Sequence, residues 1–558
     1  MTAGYRVPVS PVIRPVPGSG LTLITRQGAV TVIPPVPALH GIGRSVGPPA
    51  IVPHHRAGYL IPSWLDTFYN RIVVLPASLA LGAISTEQRI TVKLWNAWLV
   101  PQHLLTVTLS GGGGVTLSGP TTPRWFNRLA VHEWQLTVSM EGPDVLDCTV
   151  TWQFAGLPPA TFYLTGSRTV GWTLTPDWTD GVTETLEWKT DVLQSQTGAG
   201  QRIARRLSPR RTFEFSALLG GTGRQRFEQS LFHYGTRTWA LPVYPDVAYL
   251  SEGALTGSET LPIVVNGRDF HAGGAALICA DSDLTATAET VDIAAVEADR
   301  LQLTRSLRQS WPAGTLVYPL RSAVLTDPPA ITRHSDEVIR ARIRFRVTEH
   351  NAYSDAHSLP EYRGFPVLEP GSDWTENLSA EYTRLLFELD NGTGIPYRLD
   401  TAARPFVVQS HTWQLADRET QSHLRRLFYY LRGRQRPVWV GSQASDLFVA
   451  DDIGGQIMDI RAMGFSDEGA RPGRRDLRIE TTQGAHYVRV TDSTPLNADT
   501  ERLAIDRPLS ISRAEIVKIS WLSLCRLNSD SVEWLHRTDA DGAATVSVTF
   551  IGVRDELE

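Results

Sequence analysis

Arginine side chains are the residues of this sequence with the clearest chemical potential. Of its 53 basic residues only Lys93, Lys189 and Lys518 are lysines, so nearly every cation is a guanidinium. A guanidinium is a planar fork that pairs with carboxylates or phosphates through two parallel hydrogen bonds. Two stretches concentrate these groups: Arg202, Arg205, Arg206, Arg210 and Arg211, and then Arg425, Arg426, Arg434 and Arg436.

Contact with phosphates is one interpretation of these clusters, and pairing with carboxylates across a subunit boundary is the other. The chain carries 58 acidic residues and a formal net charge of -5. Nucleic-acid-binding domains are usually basic, so this balance favours carboxylate pairing between subunits. We therefore predict inter-subunit or channel contacts at both arginine clusters.

Catalytic and metal-binding patterns are not found in the sequence. There is no phosphate-binding loop, no GxSxG and no HExxH. His54-His55 is the only adjacent histidine pair, and no carboxylate or cysteine lies beside it. Cys148, Cys279 and Cys525 lack the spacing of metal ligands or of a disulfide framework. We predict a protein without enzymatic activity, cofactor or bound metal.

Length and composition set the frame in which these residues lie. At roughly 150 residues for each domain, 558 residues allow three or four domains, and 42% apolar residues are enough for packed cores. No run of 18 apolar residues occurs, so membrane insertion is not expected. The N-terminus has no signal-peptide pattern, which predicts folding in the cytosol.

The first half of the chain contains two contrasting regions. Residues 1–75 are rich in proline, which favours an arm that is either a flexible leader or a segment docked on a neighbouring subunit. In residues 76–170, apolar and polar residues alternate along short runs separated by turn signals such as Gly111–Gly114. That pattern predicts a small β-sandwich.

The remainder of the chain repeats itself. Pro-Asp-Trp-Thr at 176–179 recurs as Ser-Asp-Trp-Thr at 372–375, and Leu-Phe-His-Tyr at 231–234 recurs as Leu-Phe-Tyr-Tyr at 427–430. Later matches keep the same order with a slowly growing offset, which is typical of a duplicated domain. We expect the matched residues to anchor the two cores: Trp178, Trp239, Leu231, Phe232, Trp374, Trp439, Leu427 and Phe428.

Both copies have the same predicted plan, in which strands and one amphipathic helix form a domain that an inserted small β-domain divides. The first copy spans 171–246 and 323–350, with its insertion at 247–322. The second spans 351–446 and 523–558, with its insertion at 447–522. The predicted fold class is therefore mainly β with a minor helical part.

The segment TLEWKTDVLQSQTGAGQRIARRLSPRRTFEFSALL resembles the belt domain of distal tail and minor tail proteins of tailed bacteriophages. Gln201-Arg202, Pro209-Arg210 and Phe213 match the pattern of that family. Ala199-Gly200 stands where an acidic residue is common in that family, and the second copy does not contain the QR…PR motif. The sandwich at 76–170 is similar to the immunoglobulin-like modules of phage tails.

The resemblance implies a structural virion protein of the tail tip or baseplate, assembled in the host cytoplasm. It implies a ring that connects the tail tube to the hub and fibre proteins, with DNA passing through it without specific binding. Two similar domains in each chain favour a trimer with pseudo-six-fold symmetry, and a hexamer is the alternative.

Two other functions compete with this interpretation. A carbohydrate-binding, adhesin-like β-protein on the virion would use tryptophans to hold sugars, and Trp95, Trp98, Trp125 and Trp311 are its candidates. A glycan-degrading tail spike would require paired carboxylates and a long β-helix, and the sequence shows neither pattern.

Overall fold

A computed structural model describes most of this chain, and its secondary structure is 52% strand and 8% helix. The prediction of a mainly-β fold is confirmed. His54-His55 and most of the predicted arm lie outside the described residues. The described residues are two strands near the N-terminus and residues 68–556 without 85–86, 140, 144, 281–287, 370, 375–376 and 540–541.

The chain divides into two compact units between Ser167 and Arg168. In the first unit, two antiparallel strands near the N-terminus form a hairpin, and the strands from Ile72 onward form a sandwich. The strands that begin in this unit are β1 Thr22–Arg26, β2 Ala29–Ile33, β3 Ile72–Leu75, β4 Ser78–Ile84, β5 Gln88–Asn96, β6 Gln102–Ser110, β7 Val115–Ser118, β8 Arg124–Phe126, β9 Val131–Val138, β10 Val145–Phe154 and β11 Ala160–Gly171. The last residues of β11, from Arg168 onward, belong to the second unit.

The sandwich consists of two antiparallel sheets. One has the order β3-β5-β9-β7, and the other places β10 between β11 and β6 with β8 beyond. Trp134 and Trp152 meet edge to face between the sheets, with ring centroids 5.6 Å apart. The boundary predicted at residue 75 is wrong, because β3 pairs with β5 and so belongs to the sandwich.

The second unit contains the rest of the secondary structure. Its helices are α1 Gly221–Tyr234, α2 Arg418–Leu431 and the short α3 Phe465–Glu468. Its strands as far as residue 347 are β12 Val182–Glu187, β13 Thr190–Gln194, β14 Gly200–Ala204, β15 Arg210–Gly220, β16 Thr238–Pro242, β17 Ala248–Tyr249, β18 Thr260–Leu261, β19 Ala275–Cys279, β20 Ala288–Val296, β21 Leu301–Leu303, β22 Leu316–Leu325, β23 Ala330–Arg333 and β24 Val338–Val347.

The later strands of this unit begin with a short hairpin after residue 360, formed by β25 Glu361–Tyr362 and β26 Phe365–Pro366. The others are β27 Ser379–Thr383, β28 Leu386–Leu389, β29 Tyr397–Asp400, β30 Phe406–Leu415, β31 Val438–Gly441, β32 Ile453–Arg461, β33 Asp476–Thr481, β34 Gly484–Pro495, β35 Thr500–Ile511, β36 Ile516–Leu527, β37 Ser531–His536 and β38 Ala544–Gly552.

The strand pairings of residues 182–347 recur in residues 379–552. We call residues 182–347 repeat 1 and residues 379–552 repeat 2, each with its insertion. In repeat 1, β15 lies between β12 and β24, β22 pairs with β16, β19 and β24, and β23 pairs with β24. In repeat 2, β30 lies between β27 and β38, β36 pairs with β31, β33 and β38, and β37 pairs with β38.

Strand register identifies equivalent residues more reliably than sequence matches do. Trp239 lies opposite Ala323, whereas Val438 holds the matching place opposite Cys525. Trp439 therefore lies one residue beyond the position equivalent to Trp239. Because side chains alternate between the two faces of a strand, the two tryptophans point to opposite faces. Both tryptophans are buried, but Trp439 packs in a separate cluster with Tyr362. The predicted equivalence of the two tryptophans is wrong.

Of the other predicted core anchors, two are exposed. Leu427 and Phe428 are buried, and Trp178 and Leu231 pack against the core of repeat 1. Phe232, however, is 92% exposed. Helix α1 turns its Phe227, Leu231 and Tyr234 inward, and the next residue after Leu231 points about 100° away. Trp374 is 67% exposed in a loop. The prediction is wrong for both residues.

Each insertion has an apolar core of its own. One cluster runs from Ala248 to Val317, within the interval 247–322 of the first predicted insertion. Another runs from Leu447 to Trp521, within 447–522. The closing strands β22 and β36 belong to both the insertion and the repeat, because each pairs with strands of both.

The buried histidine His411 should make the free energy of unfolding depend on pH. His411 of repeat 2 is equivalent to Phe215 of repeat 1, and burial lowers its pKa to about 4. The unfolded histidine binds a proton near pH 6.5, so stability is full above that pH and is lost as pH falls towards 4. The loss approaches about 3 kcal/mol. Unfolding by urea at pH 7.0 and pH 4.5 should show this loss in the wild type and much less of it in His411→Phe.

The exposed His423 provides the matched control. His423→Phe should keep the pH dependence of the wild type. Equal pH dependence in His411→Phe and the wild type would contradict the assignment.

Candidate functional site

The two repeats are joined by a pair of strands. β12 of repeat 1 pairs antiparallel with β37 of repeat 2, from Val182 opposite His536 to Glu187 opposite Ser531. β12 pairs on its other side with β15, so one continuous sheet passes from repeat 1 into repeat 2. We call the β12–β37 pair and the side chains around it the repeat junction.

A buried carboxylate lies at the centre of the repeat junction. Glu184 on β12 has a side chain only 1% exposed. It accepts hydrogen bonds from Arg211 Nε at 2.6 Å, from Arg425 Nη1 and Nη2 at 2.8 and 2.6 Å, and contacts His536 Nε2 at 2.9 Å. Repeat 1 supplies Glu184 and Arg211, and repeat 2 supplies the other two partners.

The charge state of this cluster follows from its contacts. Burial alone raises the pKa of Glu184, but Arg211 and Arg425 outweigh it and hold that pKa well below the usual range of a glutamate. Burial likewise disfavours the charged form of Arg425, and Glu184 overcomes this, so the pKa of Arg425 is raised. Glu184 and Arg425 are therefore both ionised throughout the ordinary pH range.

Further ion pairs extend the cluster on both sides. Asp269 of the first insertion pairs with both Arg211 and Arg321, and Arg321 also reaches Glu349 at 3.2 Å. Arg418, the first residue of α2, donates to Asp246 Oδ1 at 2.7 Å. The space left between these groups is only about 10 Å³, so the repeat junction holds no room for a substrate.

The predicted arginine contacts divide into three groups. Arg211 and Arg425 are buried in the repeat junction, so their prediction as inter-subunit contacts is wrong: partners within the chain satisfy both. The second group pairs locally: Arg205 with Asp191, Arg206 with Glu187 and Arg436 with Asp355. The third group consists of Arg202, Arg210, Arg426 and Arg434. Its side chains are partly or fully exposed, and Arg210 is the most exposed of them.

The tryptophans proposed for sugar binding lie in different surroundings. Trp311 is buried in the first insertion, where its indole N–H donates to Glu289 at 3.0 Å. Trp95 and Trp98 are half-buried. Trp125 is 63% exposed on the sandwich and stacks on His103 at 4.5 Å. Trp125 is thus the one of the four that presents an open aromatic face.

The described part of the chain contains no group of three histidine, cysteine or acidic side chains arranged to hold a metal ion. None of its helices combines the length and the apolar character needed to cross a bilayer. Cys148, Cys279 and Cys525 are buried as free thiols.

No protein-family model matches the chain, and no curated protein sequence matches it significantly. The repeat junction and the duplicated fold are therefore the observations on which a function must be argued.

Removing the charge of Glu184 should destabilise the protein strongly. Glu184→Gln leaves the buried Arg425 without its counter-ion and leaves Arg211 with Asp269 alone, which costs about 3–5 kcal/mol. Denaturant unfolding followed by tryptophan fluorescence would measure the change in free energy of unfolding.

Glu187→Gln, three residues along the same strand, is the matched control. Its side chain is half exposed and pairs with Arg206 at 3.2 Å, so the cost should stay below about 1 kcal/mol. Equal costs for the two variants would show that the repeat junction does not depend on the buried charge.

Proposed function

We propose that this protein is a structural subunit of a phage tail tip or baseplate and that it assembles into a ring. The observation that carries the proposal is the head-to-tail repeat junction. One side of repeat 1, at β12, meets the opposite side of repeat 2, at β37. A contact between unlike sides of similar units generates a closed ring when its rotation closes, and a filament when it does not.

The sequence resemblance gives this geometry its biological setting. Residues 171–350 resemble the belt domains of distal tail proteins, and the structure repeats the strand pairings of this region in residues 379–552. Such a ring would connect the tail tube to hub and fibre proteins in the virion. Three chains would present six similar domains, which favours a trimer with pseudo-six-fold symmetry over a hexamer.

The remaining parts of the chain fit a purely structural role. The sandwich would be a module carried on the ring, as immunoglobulin-like modules are in phage tails. Assembly would take place in the host cytoplasm, and DNA would pass through the ring without specific contacts. The buried ion pairs of the repeat junction then serve to fix the geometry of two neighbouring domains, with no enzymatic step.

Carbohydrate binding by the sandwich is a second candidate, supported by the exposed face of Trp125. Aromatic faces of this kind contribute binding area at low entropic cost. If the candidate holds, the full-length protein should be retained on some glycans of a bacterial surface array, and Trp125→Ala should lose that binding. Trp311→Phe, at a buried position, would be the control.

The ring itself is tested by measuring the mass and shape of the purified protein. Native mass spectrometry should give a multiple of the 61.6 kDa chain, with three copies favoured, and negative-stain images should show a closed ring with a central hole. Six copies would exclude the trimer and keep the ring. A chain that remains monomeric at micromolar concentrations, or forms open filaments, would overturn the proposal.

A further inference from the structure

We infer that a second copy of the chain docks on repeat 2 in the way that repeat 2 docks on repeat 1. The new joint would bring β23 and α1 of the second copy against β27 of the first. We call it the copy junction. It rests on the proposed ring and adds the residues that close it. The argument uses the repeat junction as a template, together with the surfaces that remain open at each end of the pair of repeats.

Two edge strands remain at the ends of the pair of repeats. β27 is equivalent to β12 and, within the described residues, pairs only with β30. β23 is equivalent to β37 and pairs only with β24 in the same part of the chain. Every described residue of both strands is exposed. An edge strand of this kind is a template for pairing with another chain.

The register of the copy junction follows from the repeats. Glu184 and Ala380 hold equivalent places, opposite Phe213 and Gln409. Trp534 lies opposite Val546, which in turn lies opposite Trp413 of β30. Ile331 lies opposite Ala341, which in turn lies opposite Ala217 of β15. Because Trp413 and Ala217 are equivalent, Trp534 and Ile331 are equivalent as well. Since Glu184 lies opposite Trp534 in the repeat junction, Ala380 should lie opposite Ile331 of the next copy.

A cleft beside β27 provides the second argument. In the repeat junction, helix α2 fills the corresponding space on repeat 1 through Gln421, Ser422, Arg425 and Tyr429, and only about 10 Å³ is left. On repeat 2 the cleft is open and measures about 540 Å³. Equivalent strand positions line the two spaces: Val407 replaces Arg211, and Ser523 replaces Arg321. The open cleft thus lies in the place that corresponds to the helix contact and has room for side chains from one face of a helix.

Helix α1 of a second copy carries the matching side chain. The inward residues of α1 and α2 correspond with an offset of 197, which makes Phe232 equivalent to Tyr429. Tyr429 is 6% exposed and meets Trp188 edge to face at 5.6 Å across the repeat junction. Phe232 is 92% exposed, and the equivalent of Trp188 is Arg384, which lines the open cleft. A phenyl ring against a guanidinium is a favourable pair.

The charged residues at the centre of the copy junction are also compatible with docking. Ala380 replaces the buried Glu184, so repeat 2 presents no carboxylate there. The helix instead carries Glu228 at the place of Arg425, and Glu228 is already paired with Arg224 at 2.9 Å and with Arg333 at 2.7 Å. At these two positions docking would bury no unpaired charge, so we expect them to add little dependence on salt.

The second hairpin offers a third contact. In repeat 1 the tip of the β13–β14 hairpin touches repeat 2, where Gly198 packs on Phe406 and Gln196 accepts a hydrogen bond from Thr401. The equivalent Gly394 of the β28–β29 hairpin has open space around it. The residue equivalent to Phe406 is Arg210, so the hairpin would meet exposed Arg210 of the next copy.

Substitution of Phe232 tests the helix contact. Phe232→Asp should raise the dissociation constant of the assembly at least about 30-fold, the effect expected of a central aromatic residue in an interface. His233→Asp, the neighbouring exposed residue on another face of α1, should stay within about threefold of the wild type. Sedimentation over a concentration series measures both, and circular dichroism verifies that both variants fold.

Cross-linking tests the strand register and its direction. Residues directly opposite in an antiparallel pair have Cβ atoms about 4.5–5.5 Å apart, close enough for a disulfide after small adjustment. A mixture of an Ala380→Cys chain with an Ile331→Cys chain should form a disulfide-linked dimer on oxidation, whereas neither variant alone should do so. Arg333→Cys, two residues further along β23, replaces Ile331→Cys in the control mixture and should cross-link far less.

The outcomes separate the copy junction from the ring. If the wild type forms a ring that Phe232→Asp leaves intact and the cysteine mixture does not cross-link, the copy junction is wrong and the proposed ring stands. Cross-linking in Ala380→Cys alone would indicate a contact between like edges and would also overturn the copy junction. A wild-type chain that remains monomeric would overturn both.

Discussion

The burial of the Glu184 carboxylate is the constraint on which the second unit depends. An ion taken out of water needs counter-charges and hydrogen bonds within reach. Arg211 supplies one from repeat 1, but Arg425 and His536 come from repeat 2. Neither repeat alone completes the cluster, and strand β12 has its second partner only when β37 is in place. The two copies of one domain are therefore joined through a shared sheet and a shared buried ion cluster.

The duplication was predictable from sequence because the backbone register of the repeats has been kept. The match of residues 176–179 with 372–375 has an offset of 196, and the strand pairs give the same offset for Glu184 and Ala380. Sequence matching failed where one residue of slippage changes the face of a strand, as for Trp239 and Trp439. It also failed at Phe232, because the two helices correspond with an offset of 197, so that Phe232 is equivalent to Tyr429 and Leu231 to Phe428.

The repeat junction was harder to predict, and for a physical reason. Arg211 and Arg425 lie far apart in the chain, so no spacing pattern reveals that they share one carboxylate. A signal was nevertheless present on β12. Val182, Glu184 and Leu186 alternate with more exposed residues, and a charged residue at an inward position of an alternating strand requires a buried partner. The arginine clusters stand out in the sequence, but two of their members, Arg211 and Arg425, form ion pairs in the interior of the chain.

The two kinds of junction differ in a way that suits their order of formation. Within one chain, the partners of a buried ion cluster are held near each other by covalent connection, and their desolvation is part of a single folding event. Between chains, every buried unpaired charge would have to be desolvated at each encounter, after each partner had already folded. At the proposed copy junction, Ala380 stands in place of Glu184, and Glu228 is already paired with Arg224 and Arg333, so neither position would add that cost. The buried ion cluster thus lies where both partners belong to one chain, and the strand edge that we propose for a second copy carries alanine at the place of its carboxylate.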